Sequence, residues 1–298
     1  MNDVSNKTDI KTSWPCPAKL NLFLHFIGQR EDGYHLLQSY FQLLDFGDEL
    51  KITLTKDPKI SFSCDQPKLN GDNNLVVKAA KLLQQHSKIN QGAKLHLIKK
   101  LPIGGGVGGG SSDCATTLVA LNFLWQMGLS LDELALLGES LGADVPFFVR
   151  GKSAFVEGIG EKITAYPLPP ASFVVIQPQC HIATDKIFSN PRLTRNSKAI
   201  TIRDLKALGL PFGGLNTMQS LVVNAHKEVM QTLDWLRHHS STARMTGSGS
   251  SLFSVFDNLQ EASKIAALCD PSWLTFVAQG TNQSKLHDRL QQESSNFS

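Results

Sequence analysis

No stretch of this chain stays apolar for the ~20 residues a bilayer-spanning helix needs, so no membrane span and no membrane partner are expected. Cysteine is sparse: Cys16, Cys64, Cys114, Cys180 and Cys269 are odd in number and none forms a C-x-x-C pair. Nothing therefore points to a thiol zinc site, a redox pair or a disulfide framework, and reduced thiols in a cytoplasmic protein are the expectation. An excess of one charge is missing too. Lys plus Arg number 29 against 26 Asp plus Glu, a net charge of +3. No basic cluster carries interleaved aromatics, which speaks against a nucleic-acid partner. The start, MNDVSNKTDIKTSW, lacks the apolar run of a signal peptide, and residues 1–13 read as a loose tail. Internal repeats and low-complexity segments are absent. The 298 residues suffice for one large or two medium domains with a sizeable core.

What the chain has is glycine in one place. Residues 102–113 read PIGGGVGGGSSD, six glycines in seven positions broken only by Val107. Glycine takes positive φ without steric penalty and lets another group reach the main chain. Placed just before a helix, such a run offers bare N–H groups at the positive end of the helix dipole, a cradle for a polyphosphate. A flexible linker is the plain alternative. It fits poorly between the strand-like KLHLIKKLP and an apolar helical pattern.

Three familiar phosphate loops do not match. Gly104, Gly106 and Gly109 satisfy G-x-G-x-x-G, but a dinucleotide site wants an acidic residue ending the next strand, and Asp132 and Glu133 instead open a helix. A Walker loop needs a lysine that neither this run nor residues 28–33 supply. A protein kinase needs H-R-D and D-F-G after the loop. Asp45-Phe46-Gly47 precedes it and reads as a turn.

Along the chain, residues 16–28 alternate at the strand period. Leu20, Leu22, Leu24 and Phe26 share one face, while Lys19, Asn21, Phe23 and His25 share the other. Lys19 and Asn21 are thus neighbours, which alone means no more than a solvated strand face. Further strands are expected at 36–44, 49–54, 60–64 and 93–101, with a helix over 74–85 capped by Asp72 or Asn73. After the glycine run a mostly buried helix carries Cys114, Leu118, Leu121 and Trp125 on one face. A capping box, Ser130 with Glu133, opens the next helix. Asp144 follows, before Val145-Pro146, where an aspartate is ordinarily a turn former. Residues 167–170, PLPP, are the best boundary, dividing the chain into 1–168 and 169–298. The second part reads as a strand at 173–177, helices at 201–208, 215–236 and 261–269, a glycine turn at 244–258 feeding a strand, a strand at 273–278 and a frayed end. That order predicts a small antiparallel sheet with helices on one face.

Three stretches coincide: PAKLNLFLHFIGQREDGYH at 17–35, PIGGGVGGGSSD at 102–113 and MTGSGSSLFSVF at 245–256. Together they resemble the three motifs of the GHMP small-molecule kinases, and the likeness runs from about Pro15 to Gln279. The long first motif and LGADVPFFVRG at 141–151 resemble the branch acting on a cytidine diphosphate-linked methylerythritol. The resemblance implies an α+β GHMP kinase fold, with an N-terminal ribosomal-protein-S5-domain-2-like ATP-binding domain and a C-terminal ferredoxin-like domain around a cleft. It implies transfer of the γ-phosphoryl of ATP, with Mg²⁺, to the 2-hydroxyl of that acceptor, in non-mevalonate isoprenoid synthesis, by a cytoplasmic monomer or weak homodimer.

Residue by residue, the same resemblance implies Asp144 as catalytic base with Lys19 as its partner. It places Asn74, Lys99, Pro102, Gly104, Gly105, Gly106, Gly108, Gly109, Gly110, Ser111 and Ser112 at the nucleotide. Asn21 is implied at the erythritol, Tyr34 and Phe188 as the pair enclosing the cytosine ring, and His35 and Thr184 as polar contacts to the cytidine. Core packing for Tyr34 and Phe188, and helix capping for Asn74, stand as competing readings. Asp113 occupies a position where relatives also carry asparagine, and it is expected to point away from the phosphates. The motifs single out no acidic metal ligand. The rivals are another GHMP kinase, such as one acting on homoserine, and a non-catalytic nucleotide-binding module.

Overall fold

The computed structural model describes residues 11–207, 212 and 214–297. Its spine is an antiparallel pair of long strands, β1 (Lys11–Gln29) and β2 (His35–Thr55). Their register shifts between Pro17 and Lys19, between Asn21 and Leu24, and between Phe26 and Gly28. Such bulges bend a strand and re-aim its side chains. On the edge of β2 opposite β1, β4 (Gly92–Ile98) pairs with residues 49–55 and carries β3 (Ile60–Cys64) beyond it, while β5 (Ala154–Gly158) pairs with residues 37–41 and carries β6 (Lys162–Ala165). Helices α1 (Leu75–Ser87), α2 (Gly109–Leu124), α3 (Leu131–Glu139) and α4 (Val145–Arg150) pack against it. α2 is buried nearly all round, with Cys114, Leu118 and Leu121 fully enclosed. Its N-terminus is therefore fixed by packing.

The second half contributes β7 (Ser172–Gln177), α5 (Thr184–Phe188), α6 (Asp204–Ala207), α7 (Gln219–Ala225), α8 (Lys227–His239), β8 (Arg244–Met245), β9 (Leu252–Phe256), α9 (Leu259–Ala266), β10 (Leu274–Thr281) and α10 (Lys285–Phe297). β7, β8, β9 and β10 pair antiparallel. β10 also joins the halves, because Gly280 and Thr281 pair with Leu44 and Leu43 of β2.

Four sequence expectations change. Residues 11–13 are strand, pairing with Thr53, Ile52 and Lys51 rather than forming a tail; residues 1–10 lie outside the described part. The D-F-G-D stretch is no turn, since β2 runs through it. A Cβ on Gly47 would fall 2.0 Å from the Cys16 carbonyl oxygen, so glycine there is what lets the two strands stay together. The helix expected over 215–236 is two helices meeting at His226, and of the one expected over 201–208, Leu208 lies outside the described residues. The polar C-terminus is helix α10, whose Leu286 and Leu290 join the core of the first half.

Candidate active site

The glycine run forms the link between β4 and α2. Gly104, Gly106 and Gly108 have φ of +68°, +76° and +76°, and Gly108 is the N-cap of α2. The run is bare because other chain fills the space side chains would need. A Cβ on Gly106 would lie 2.5 Å from the Thr246 carbonyl oxygen, and one on Gly105 would lie 2.6 Å from Ser251 Oγ. Ser251 N donates to the Gly105 carbonyl at 3.2 Å. The turn after β8 therefore buttresses the loop from behind. In front stand the free N–H groups of the first turn of α2, the arrangement that holds a polyphosphate.

Beside the loop, Lys19 N donates to the Val107 carbonyl at 3.0 Å. The Lys19 side chain is buried, with Nζ 4.2 Å over the Phe41 ring and donating to Asn21 Oδ1 at 2.5 Å. It lies 3.2 Å from Asp144 Oδ2. Asn21 is fixed in turn, its Nδ2 donating to Ser39 Oγ and its N to Thr246 Oγ1. Asp144 is the N-cap of α4, yet its carboxylate makes no capping bond. It does sit in a turn, closed by Val145 N donating to the Gly142 carbonyl at 3.0 Å, but its oxygens remain for Lys19 and for solvent. A buried ammonium, a reachable carboxylate and an anion cradle thus adjoin one another.

Sequence comparison gives this geometry a family. Profiles described as "GHMP kinases N terminal domain" and "GHMP kinases C terminal" match residues 74–152 and 197–269. The chain is 49% identical over 280 residues to the 4-diphosphocytidyl-2-C-methyl-D-erythritol kinase of Mannheimia succiniciproducens, covering 94% of this chain and 91% of that one. It is 46% identical over 282 residues to the enzyme of the same name from Pseudomonas aeruginosa, covering 95% and 98%. The chain belongs to the GHMP kinases. Its fold matches a crystal structure of 4-(cytidine 5'-diphospho)-2C-methyl-D-erythritol kinase with a TM-score of 0.80 and 28% identity, over 90% of this chain and 99% of that one. Homoserine kinase from Cytophaga hutchinsonii shares the fold at a TM-score of 0.62 and 18% identity, over 96% and 98%. The kinase thus has the ATP-binding GHMP fold with a C-terminal ferredoxin-like domain.

Elsewhere in the kinase, His35 begins β2, with its ring 5.3 Å from Phe188 and 5.4 Å from Phe26. Burial, and then the charge of Arg195, hold the His35 imidazole below its usual pKa. Tyr34 is exposed and lines a cavity of about 540 Å³ together with Ala143, Pro146 and Leu136. Its ring is not in contact with Phe188 among the ring pairs of the described residues. Thr184 Oγ1 is hydrogen bonded to Ser248 Oγ at 2.9 Å, which sets α5 against the third motif. Asn74 caps α1, accepting from Val76 N at 2.9 Å and donating to the Leu69 carbonyl. Its side chain is thus committed to the helix end. Pro102 packs against Gly105.

Lys99, implied at the nucleotide, lies beside Gly109 of the loop with its side chain sealed between Asp48 and Asp113. Asp113 is directed at Lys99 beneath the loop, away from the cradle. Sequence reasoning left the third motif without assigned residues, although Thr246, Ser248 and Ser251 tie β1, α5 and the loop together. The signal was present in the paired glycines of MTGSGSS: a Cβ on Gly247 would meet the Gly106 carbonyl oxygen at 2.9 Å.

Proposed function

We propose that this kinase transfers the γ-phosphoryl group of ATP to the 2-hydroxyl of 4-diphosphocytidyl-2-C-methyl-D-erythritol, a step in non-mevalonate isoprenoid precursor synthesis. The observation that carries the reading is the Lys19–Asp144 pair, 3.2 Å apart, tied to the glycine loop through the Lys19–Val107 backbone bond. An alcohol is a weak nucleophile until a carboxylate takes its proton in the transition state. Asp144 accepts that proton as the new O–P bond forms and the bond to the β-phosphate oxygen breaks, releasing ADP. Lys19, beside that carboxylate, stabilises the developing alkoxide. Asn21 orients the ammonium and stands beside the acceptor chain. The loop N–H groups from Gly104 to Gly110, with Ser111 and Ser112, hold the phosphates in line, and positioning of this kind supplies most of the catalysis in phosphoryl transfer.

Mg²⁺ bound with ATP would neutralise phosphate charge. Among the described residues no group of three His, Cys, Asp or Glu side chains converges on a metal position. Mg²⁺ commonly takes substrate phosphates plus few protein oxygens, and Ser112 Oγ is buried at the start of α2 with no hydrogen-bond partner. That hydroxyl suits the ion and would hold it against the phosphates.

On the acceptor side, Phe188 and Tyr34 supply aromatic faces for a pyrimidine, and His35 and Thr184 supply polar atoms to read it. Phosphorylation of a small panel of alcohols tests the function. Turnover of the cytidine-linked methylerythritol is expected, and activity on homoserine alone would overturn the assignment. Phe188→Ala should raise KM for the cytidine substrate about tenfold, the scale of a lost ring contact, with little change for ATP. Equal effects on both substrates would remove Phe188 from the acceptor site.

A further inference from the structure

After α5 the chain crosses the β1–β2 hairpin as a strap, residues 190–200, held at three points. Ser197 N donates to the Phe26 carbonyl at 2.9 Å. Gln38 exchanges two hydrogen bonds with the backbone of Ile200, at 2.7 and 2.8 Å. Ahead of these ties Arg195 Nε donates to His35 Nε2 at 2.8 Å. Three of the four other N–H groups are also engaged, donating to the carbonyls of Leu193 at 3.1 Å, Phe188 at 2.9 Å and Asn190 at 3.1 Å. One side chain therefore grips both the backbone of Phe188 and the imidazole of His35. The rings it connects form a closed set, with Phe26 and Phe188 5.6 Å apart and each in contact with His35.

A guanidinium has five N–H donors, no acceptor, and no tendency to lose a proton. His35 Nε2 must then offer its lone pair, and the proton of the neutral ring resides on Nδ1. A second proton on Nε2 would break the bond and bring two cations together. Burial of the ring works in the same direction. His35 is thereby limited to one role, a single N–H donor at Nδ1. Such a donor matches the O2 and N3 acceptors of cytosine, whereas uracil carries an N–H at N3.

We propose that Arg195 is a positioning residue for the acceptor pocket, locking His35 in its Nδ1–H tautomer and fixing Phe188 at ring-contact distance from it. The use of that pocket for a cytidine rests on the function proposed above; the tautomer does not. The His35 ring nitrogens, assigned in ¹⁵N-histidine-labelled protein with His35→Gln as the blank, should show the Nδ1–H tautomer, with any titration displaced below the ordinary value of 6.5. In Arg195→Met, which keeps length and loses every donor, both tautomers should appear and the ring should titrate higher than in the parent, though burial still holds it below 6.5. KM for the cytidine substrate should rise on the order of tenfold, the equivalent of one good hydrogen bond. It should rise further toward pH 6, and KM for ATP should hold.

Nε2–H in the parent protein, or titration of parent His35 near 6.5, would overturn the proposal, and this measurement needs no variant to fold. So would an Arg195→Met enzyme whose KM for the cytidine substrate is unchanged. A parent enzyme that does not phosphorylate the cytidine substrate would instead sink the proposed function, and the nitrogen shifts would still decide the tautomer.

Discussion

Two buried lysines reach the start of α2 from opposite sides, and they keep different company. Lys19 meets one carboxylate, Asp144, whose side chain is 30% exposed. Lys99 meets two, Asp48 and Asp113, which are 0% and 5% exposed. A Cβ on Gly108 would touch Lys19 Cγ at 3.0 Å, and one on Gly109 would touch Lys99 Nζ at 3.3 Å. Adjacent glycines thus separate an open pair from a closed triad. One ammonium balances one carboxylate, so the triad holds a surplus acid. Asp48 also accepts from Lys100 N at 2.6 Å and Leu101 N at 2.8 Å. Asp113 takes the strain: burial, and the nearby Asp48 against the pull of Lys99, push its carboxyl up to about 7. Burial pulls Lys99 down, but the two carboxylates outweigh it and leave the ammonium firmly protonated. A lysine–carboxylate contact becomes chemistry only where the acid is paired once and can be reached.

The strongest way to break this contrast is to remove the reachable acid. Asp144→Asn should lower kcat by about 10²–10⁴-fold, the range for a lost general base. Calorimetric ATP affinity should hold, and an undiminished rate would place the proton acceptor elsewhere. Next comes Lys99→Met, which abandons two buried carboxylates. It should cost about 3–5 kcal/mol of stability in urea melts. Lys19→Met leaves one partly solvated carboxylate and should cost only about 1 kcal/mol, while kcat collapses. Equal stability losses in the two variants would erase the distinction.

A pH-dependent effect sharpens the triad itself. The Asp113 carboxyl titrates near 7 when folded, against 3.8 as a free side chain. The folded protein therefore binds more protons between those values, and its stability falls as pH rises through that window. Asp113→Asn cannot titrate, so the stability of the variant relative to the parent should climb with pH by up to ~1.4 kcal/mol per unit. A difference flat from pH 4 to 7 would mean that Asp48 or another group carries the proton.

These contrasts mark how far the sequence could be read. Strand alternation put Lys19 and Asn21 on one side of β1, and glycine spacing located the cradle, because both depend on neighbours in the chain. Asp144 looked like a turn residue until the family motif gave it a role, since nothing local says that a capping position will leave its carboxylate uncapped. The partners of Lys99 were hidden for the opposite reason. Its charge is cancelled by Asp48 and Asp113, from a strand and a helix that only tertiary folding brings together. Arg195 escaped notice altogether: it lies in a polar strap with no periodicity, and its partner His35 is 160 residues away. The D-F-G-D stretch has turn composition, but the antiparallel ladder with β1 overrides it.

The last helix carries a consequence for how the molecule is made. Leu286 and Leu290 of α10 fill the core built by α1 to α4, so the nucleotide-binding half emerges from the ribosome with a hole in it. That hole closes only when the 13-residue α10 has emerged as well. A nascent chain halted after Thr281 would hold the whole cradle and both lysines, yet it would wait, unfinished, for its own tail.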